Sequence, residues 1–378
     1  MPAEARSEVA EPFMREALHL AARGLGRTAP NPAVGAVVVR GGAIVGRGYH
    51  AAAGQRHAEV VALQAAGPLA KGADLYVTLE PCAHYGCTPP CTKAIIEAGI
   101  RRVVYAVADP DPRVAGKGES QLRDGGVVVE SGLLKAQATE LLEGYLKHRR
   151  TALPFATLKL ACTLDGKVAT AGGESRWITG QRARAYVHRL RDEHDAVMVG
   201  VGTVLADDPK LTTRRRGGRD ALRIVVDSRG RTPPTAHVVA QESAAGCLIA
   251  VTGRAPRRRL EALRQAGAET LVLPARGGRV DLRELWKVLG GRGLLSVLVE
   301  GGPELAASAL REGVIDKLAL FLAPKVLFGN EALSAFGGRS AGRLAQAAEL
   351  GIRRVRRLGP DLLIEAYVCS RDSSRKSA

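Results

Sequence analysis

At 378 residues and 39.8 kDa the chain is longer than one ordinary core accommodates, so two domains are expected. A composition of 46% hydrophobic and 25% charged residues excludes a wholly disordered protein, and the longest apolar runs, such as Val34 to Val39, stop far short of the roughly 18 residues of a membrane span. The net charge of +17 is uneven: residues 1–150 hold 18 basic and 15 acidic side chains, net +3, and the remainder holds 37 and 23, net +14, a balance that suits an anionic partner as readily as a solvated arginine-rich surface.

In chain order, an acidic N-terminus (Glu4, Glu8, Glu11) without a basic-then-apolar leader pattern points to a cytoplasmic protein. Pro12 opens a helical pattern carried by Met14, Leu18 and Ala21. The turn Asn31-Pro-Ala-Val-Gly35 then feeds a strand over Ala36–Val39, and Gly41-Gly42 signals a hairpin into Ile44–Gly48. Further on, His57–Ala66 and Thr92–Ala98 read as helices, Leu75–Leu79, Val103–Ala108 and Val127–Val129 as strands, and Leu133–Leu146 as a closing helix. Charge and a proline over Lys147–Pro154 place the domain boundary there, giving domains 1–150 and 151–378. The second part alternates again. Strands are predicted at Phe155–Leu160, Ala196–Val199, Arg223–Val226, Leu248–Val251, Thr270–Leu273, Ser296–Val299 and Lys317–Leu322, with helices at Gln181–Arg191, Arg257–Ala266, Asp281–Leu289 and Glu304–Arg311. Strand–helix alternation in both parts implies two α/β domains, each with a sheet covered on both faces. No repeat is visible, and the polar tail after about residue 369 is expected to be frayed.

Six cysteines in this length make no disulfide framework, but Cys82, Cys87 and Cys91 crowd into ten residues. His57-Ala-Glu59 opens a helix, and Pro81-Cys82 follows a strand. Imidazole and thiolate are the ligands zinc prefers, and a catalytic zinc lowers the pKa of a water from about 15.7 toward about 7. A carboxylate two residues from a ligand histidine reaches that water without binding metal, which makes Glu59 the candidate general acid/base and His57 and Cys82 ligands, the pattern of zinc deaminases. Position 85 is Tyr, so the Cys-x-x-Cys spacing fails, and the third ligand is Cys87 or Cys91, with His84 behind them. Cys91 is preferred because it stands at a helix N-terminus, where dipole and amides favour thiolate. A structural zinc, or buried cysteines without metal, are the plainer readings. In the second part, Glu300-Gly-Gly-Pro303 and Gly200-Val-Gly-Thr203 each follow a strand and offer phosphate-binding turns, but neither completes Gly-x-Gly-x-x-Gly, and an ordinary tight turn is the plainer reading of each.

The segments Asn31–Gly35, His57–Glu59, Glu80-Pro-Cys-Ala-His-Tyr-Gly-Cys-Thr-Pro-Pro-Cys91 and Asp109-Pro-Asp-Pro-Arg-Val-Ala-Gly116 resemble the bifunctional riboflavin-biosynthesis deaminase/reductase family. So do Leu158–Gly166, Gly173–Thr179, Thr203–Pro209, Asp227-Ser228 and Glu300–Pro303, and the resemblance spans residues 12 to 368. It implies a cytidine-deaminase-like three-layer α/β/α domain followed by a dihydrofolate-reductase-like α/β domain. It also implies zinc-dependent deamination of 2,5-diamino-6-ribosylamino-4(3H)-pyrimidinone 5′-phosphate, then NADPH reduction of the ribosyl group to ribityl. The family spaces its cysteine ligands as Cys82 and Cys91 are spaced here. By position, Asn31, His50, His84 and Asp109 resemble deaminase substrate contacts. Ala161, Trp177, Thr203, Asp207, Ser228 and Gly302 resemble cofactor contacts, and Ser175, Arg191, Leu211, Arg214 and Glu300 resemble reductase substrate contacts. Arg191 and Arg214 are read as bidentate clamps on the sugar phosphate, while Asp165 and Lys159 are unranked proton donors. Two positions depart from the family: Cys87 stands where Arg or Lys is usual, and Asp111 where Asn is frequent. The alternatives are a reductase with an impaired deaminase, a tRNA or nucleobase deaminase with a basic accessory domain, and a zinc-stabilised nucleic-acid-binding protein. The expected partners are phosphorylated pyrimidines, with no specific nucleic acid and no membrane, and a homo-oligomer is expected. The runs Arg257–Arg259 and Arg353–Arg357 read as solvated faces.

Overall fold

A computed structural model describes residues 3–85, 89–240 and 243–369, with side chains from Val9 onward; Cys87 and the tail beyond Cys369 lie outside the described residues. The chain forms two compact units, Met1–Ala152 and Leu153–Ala378. Among the described residues no helix is long and apolar enough to cross a membrane, and Cys82, Cys91, Cys162, Cys247 and Cys369 are all free thiols.

The first unit is built on a five-stranded sheet of β1 (Gly35–Arg40), β2 (Ala43–Tyr49), β3 (Asp74–Leu79), β4 (Arg102–Val107) and β5 (Val128–Ser131), in the order β2-β1-β3-β4-β5. The first strand is antiparallel to both its neighbours, and β3, β4 and β5 run parallel. Strands β1, β3 and β4 are buried almost end to end, which requires cover on both faces. Helices α1 (Ala3–Ala22) and α2 (Ala58–Ala66) provide it from opposite sides. Gly35 and Ala36 are consecutive and so face opposite ways, and Gly48 pairs with Ala36. A Cβ on Gly35 would stand 2.0 Å from the Ala17 carbonyl of α1, and one on Gly48 would stand 2.2 Å from the Ala58 carbonyl of α2. Both helices therefore touch the sheet backbone to backbone, possible only where the side chain is missing.

The remaining helices are α3 (Cys91–Glu97), α4 (Lys117–Asp124), α5 (Lys135–Leu141) and α6 (Glu143–Thr151). Two sequence expectations change here. Helix α1 passes through Pro12 instead of starting there, because an internal proline removes one donor and bends a helix without having to end it. The single closing helix is two, separated at Leu142 (φ −95°, ψ 7°). Lys147–Thr151 belong to α6, which stops at Ala152 in the left-handed region (φ 58°).

In the second unit, nine strands form one sheet: β6 (Phe155–Thr163), β8 (Ala196–Gly200), β9 (Leu222–Val226), β10 (Cys247–Thr252), β11 (Glu269–Leu273), β14 (Ser296–Val299), β15 (Lys317–Ala323), β17 (Leu350–Leu358) and β18 (Asp361–Val368). Two short ribbons stand apart, β12 (Ala275–Arg276) with β13 (Arg279–Val280), and β7 (Lys167–Ala169) with β16 (Leu333–Ser334). The order is β11-β10-β9-β8-β14-β6-β15-β18-β17; the strands from β11 to β15 are parallel, and the β17–β18 hairpin adds an antiparallel edge. Alternate residues feed two cores. Ala196 and Met198 face Leu285 and Trp286 of α11 (Leu282–Gly291) and Leu305 of α12 (Pro303–Arg311). Val197 and Val199 face Val187 of α7 (Gln181–Glu193), Val204 of α8 (Val201–Asp207), Val238 of α9 (His237–Ala240) and Leu260 of α10 (Arg257–Gln265). Helix α11 is capped by Asp281, whose carboxylate accepts from the Arg283 and Glu284 amides.

Gly48→Ala drives a β-carbon into the backbone of α2, and overpacking against an atom that cannot yield falls at or above the upper end of about 1–3 kcal/mol. Calorimetry of the variant should show the transition of the first unit lowered and that of the second in place.

Candidate functional site

The first unit brings one imidazole and two sulfurs to a single point. His57 is the residue before α2, Cys82 follows β3, and Cys91 is the first residue of α3. Their ligand atoms all lie within 4.8 Å of one another: His57 Nδ1 is 3.2 Å from Cys91 Sγ and 3.5 Å from Cys82 Sγ, and the Cys91 amide donates to Cys82 Sγ at 3.3 Å. The Cys82 thiol is pushed down to about 4 by its hydrogen bond from Cys91 and its contact with His57, while Cys91 is pushed up by that same bond. His57 is raised chiefly by Cys82. A soft, anionic corner of two sulfurs and one imidazole fits zinc, and leaves a fourth position for a non-protein ligand. Glu59, in the first turn of α2, is only 4% exposed. Burial, and then the Cys82 thiolate, push its carboxyl up to about 7.

His50 stands edge-on to His57 with ring centres 5.4 Å apart. Its Nδ1 donates to the Arg56 carbonyl (3.1 Å), the tautomer that lets Nε2 accept from Asn31 Nδ2 (3.2 Å), and burial keeps it neutral by lowering its pKa. Asn31 and His50 are thereby brought into one bonded pair beside the ligand histidine. His84 has an enclosed Nδ1 with no hydrogen-bond partner among the described residues. Asp109 is engaged inside the unit: both carboxylate oxygens accept from Tyr145 OH (3.1 and 3.0 Å) and one from the Asp111 amide. Asp111 is held down at about 2, chiefly by a bidentate pair with Arg113.

Glu80 was not singled out from the sequence. It is buried, and its carboxylate accepts four backbone amides, those of Asp109, Gly116, Gly118 and Glu119, at 3.1–3.3 Å. One side chain thus ties the Asp109–Gly116 loop to the strand end that carries Cys82. A glutamate directly before Pro-Cys at a strand terminus was the available signal.

In the second unit the expected contacts gather at the carboxyl ends of the parallel strands, around the place where β14 enters between β6 and β8 and the chain order reverses. Gly301 and Gly302 both take positive φ (85° and 74°) before Pro303 starts α12, and a Cβ on Gly302 would meet Thr203 Oγ1 at 3.0 Å. Ser175 Oγ donates to Asp207 Oδ1 (3.2 Å). Ala161 lies on β6, and Ser228 follows β9 with its hydroxyl accepting from the Val280 amide (3.0 Å). Trp177 is 62% exposed, with Arg184 4.4 Å over its ring, so it is a surface aromatic and not a core residue.

Arg191 is engaged within the unit: its fork closes on Glu300 (Nε to Oε1 2.5 Å, Nη2 to Oε2 2.9 Å) and Nη1 donates to the Thr212 carbonyl (3.0 Å). Burial alone would raise Glu300, but Arg191 and Lys159 hold it down at about 2. Lys159 Nζ lies 3.7 Å from Glu300 Oε2, and burial lowers its pKa. Leu211, buried with φ 56°, and Arg214, exposed with φ 51° and bonded to Thr212 Oγ1, flank the same carbonyl. Asp165 accepts from Thr163 Oγ1 and from the Leu327 and Phe328 amides, a turn-capping role.

Comparison with known proteins accounts for both units. The RibD C-terminal domain family matches residues 154–364, and the cytidine and deoxycytidylate deaminase zinc-binding region matches residues 7–107. The riboflavin biosynthesis protein RibD of Actinobacillus pleuropneumoniae is 42% identical over 358 residues, 95% of either chain, and that of Escherichia coli K12 is 42% identical over 367 residues, covering 94% of this chain and 98% of the other. Among solved structures, Acinetobacter baumannii RibD superposes with a TM-score of 0.85 at 37% identity, over 96% of this chain and 100% of that one. A Thermotoga maritima diaminohydroxyphosphoribosylaminopyrimidine deaminase/5-amino-6-(5-phosphoribosylamino)uracil reductase gives 0.85 at 34% identity with the same coverage.

Because the folded pKa of Glu300 lies below its unfolded value, the stability it contributes is present above about pH 5 and is lost as pH falls toward 2. Glu300→Gln leaves Arg191 buried and uncompensated, a cost of about 3–5 kcal/mol. Denaturant titration at pH 7 should show that loss in the second unit alone, and the difference from wild type should shrink as pH falls through 5 to 3.

Proposed function

The chain belongs to the RibD family of bifunctional riboflavin-biosynthesis deaminase/reductases, and we propose that it deaminates 2,5-diamino-6-ribosylamino-4(3H)-pyrimidinone 5′-phosphate in its first unit and reduces the ribosyl group of 5-amino-6-(5-phosphoribosylamino)uracil to ribityl in its second. The observation that carries this reading is the convergence of His57, Cys82 and Cys91 with a buried Glu59 two residues along α2. Bound zinc supplies the Lewis acidity that lets water attack at neutral pH, and bound NADPH supplies the hydride.

The chain's own residues do the rest. His57, Cys82 and Cys91 hold the metal. The Glu59 carboxylate takes a proton from the attacking water and delivers it to the departing exocyclic nitrogen, a task suited to a group poised near neutral pH. Asn31 and His50, already bonded to each other, orient the pyrimidine. In the second unit Ala161, Thr203 and the Gly302 turn seat the cofactor, with Asp207 and Ser228 along its length and Trp177 at its exposed rim. Ser175, Leu211 and the Lys159–Glu300–Arg191 cluster position the sugar, and Arg214 is the guanidinium left to meet the phosphate. Free thiols and a thiolate metal site accord with a reducing, cytoplasmic setting, and the exposed edge strand β17, with Ile352 and Val355 facing solvent, accords with assembly into a homo-oligomer.

Zinc-replete wild type should release ammonia from the diamino substrate and then oxidise NADPH. In Glu59→Gln, ammonia release should fall by about 10²–10⁴-fold, with zinc content unchanged and NADPH oxidation restored by supplying the deaminated intermediate. Wild type that oxidises NADPH with the intermediate but releases no ammonia would reduce the protein to a reductase; no turnover at either step would end the assignment.

A further inference from the structure

The cofactor positions of the proposed site are not scattered over the sheet. Ala161 is on β6, Gly302 follows β14, Thr203 follows β8 and Ser228 follows β9, and these strands are consecutive neighbours, all parallel. Neighbouring strands are about 4.8 Å apart, so the four positions trace a line along the carboxyl edge. One end of the line is fixed by chemistry: the nicotinamide has to meet the sugar beside Lys159 and Glu300, on β6 and at the end of β14. The Gly301-Gly302 turn at the start of α12 comes next, where exposed amides suit a pyrophosphate. The adenosine end then continues over β8 and β9 toward β10.

That end of the line is strongly basic. Arg229 follows Ser228, and Arg254, Arg257 and Arg258 follow β10; all four are exposed, and among the described residues none of these guanidinium groups makes a hydrogen bond or ion pair. Arg254 is also tied to Ser228 by its surroundings. Its amide donates to Thr252 Oγ1, which donates to the Ser228 carbonyl (2.7 Å). Its guanidinium lies over the β12–β13 turn, where a Cβ on Gly278 would stand 2.9 Å from Nη1, and Val280 of the same ribbon bonds Ser228 Oγ. The carboxylate beside them, Asp227, is fully buried and committed to the Thr232 amide and hydroxyl. Three arginines opening α10 also oppose its dipole, which no stability argument recommends.

We propose that Arg229 and Arg254, on either side of Ser228, bind the 2′-phosphate of the adenosine ribose and so select NADPH over NADH, with Arg257 and Arg258 adding a field that draws the dianion in. The proposal rests on the cofactor reading given above, a crevice at the carboxyl ends of β6, β14, β8 and β9. A guanidinium fork matches phosphate oxygens in pairs, and NADH offers nothing for it to hold.

The test is the affinity of the full-length protein for NADPH and NADH, read by reduced-nicotinamide fluorescence, with 2′-AMP and 5′-AMP as displacing probes. The expected result for the Arg229→Ala/Arg254→Ala double variant is a Kd for NADPH raised about ten- to a hundredfold, a Kd for NADH within about twofold of wild type, and loss of the preference for 2′-AMP. Equal weakening of both cofactors, or NADPH affinity unchanged, overturns the proposal. Thr203→Leu, which crowds the Gly302 turn, separates the two levels. If it weakens NADPH and NADH alike while the arginine variant changes nothing, the crevice holds the cofactor but the arginines do not select it. If neither variant alters either affinity, the crevice reading itself fails.

Discussion

Two thiols and an imidazole within 4.8 Å of one another form a corner that the polypeptide has no reason to assemble for packing alone. Their mutual titration shows the tension, with one sulfur pushed down and the other up by a single shared hydrogen bond. The rest of the first unit is arranged to hold that corner. Helix α2, which begins directly after His57, is pressed on the sheet through Gly46 and Gly48; α3 begins at Cys91; and β3 ends just before Glu80 and Cys82. Every ligand therefore sits where a regular element starts or stops, the positions whose backbone groups are least committed and most able to face a ligand. Glu80 extends the logic outward, using one buried carboxylate to fasten the Asp109–Gly116 loop through four amides.

The second unit solves a different problem. It buries the Lys159–Glu300–Arg191 cluster, with a balance of one surplus cation, beside β6 and the end of β14. Such a cluster is a poor source of net stability, since desolvation offsets the attraction, but it fixes a carboxylate and an ammonium in place at the end of β14.

Much of this was legible in the chain. Apolar β-branched runs such as Val103–Ala108 and Ser296–Val299 fall within a residue of the observed strands, because strands buried on both faces leave a strong, short signal. The metal corner was legible because its residue types are rare and their spacing is constrained by chemistry. What escaped was set by tertiary context. The β17–β18 hairpin was hidden by Arg353–Arg357: an edge strand can be charged along its length, and Arg354 and Arg356 fold back onto Glu365, so its composition reads as surface. Helix α8 looked like a glycine turn because Gly200 and Gly202 flank its start. The Arg191–Glu300 pair escaped because its two members stand 109 residues apart, and no local pattern announces such a pairing.

The order of strands has a consequence for how the protein is made. Strand β14 lies between β6 and β8 yet follows both by about a hundred residues or more, so a nascent chain emerging from the ribosome holds two apolar strands whose common neighbour does not yet exist. Until Val299 has been synthesised there is no crevice, no Gly301-Gly302 turn and no partner for Arg191. NADPH can therefore reward only a nearly complete second unit, stabilising the finished fold by mass action without guiding its early steps. A chain broken off before β14 would expose two unpaired edges, which makes premature termination in this region an invitation to aggregation more than a route to a partial enzyme.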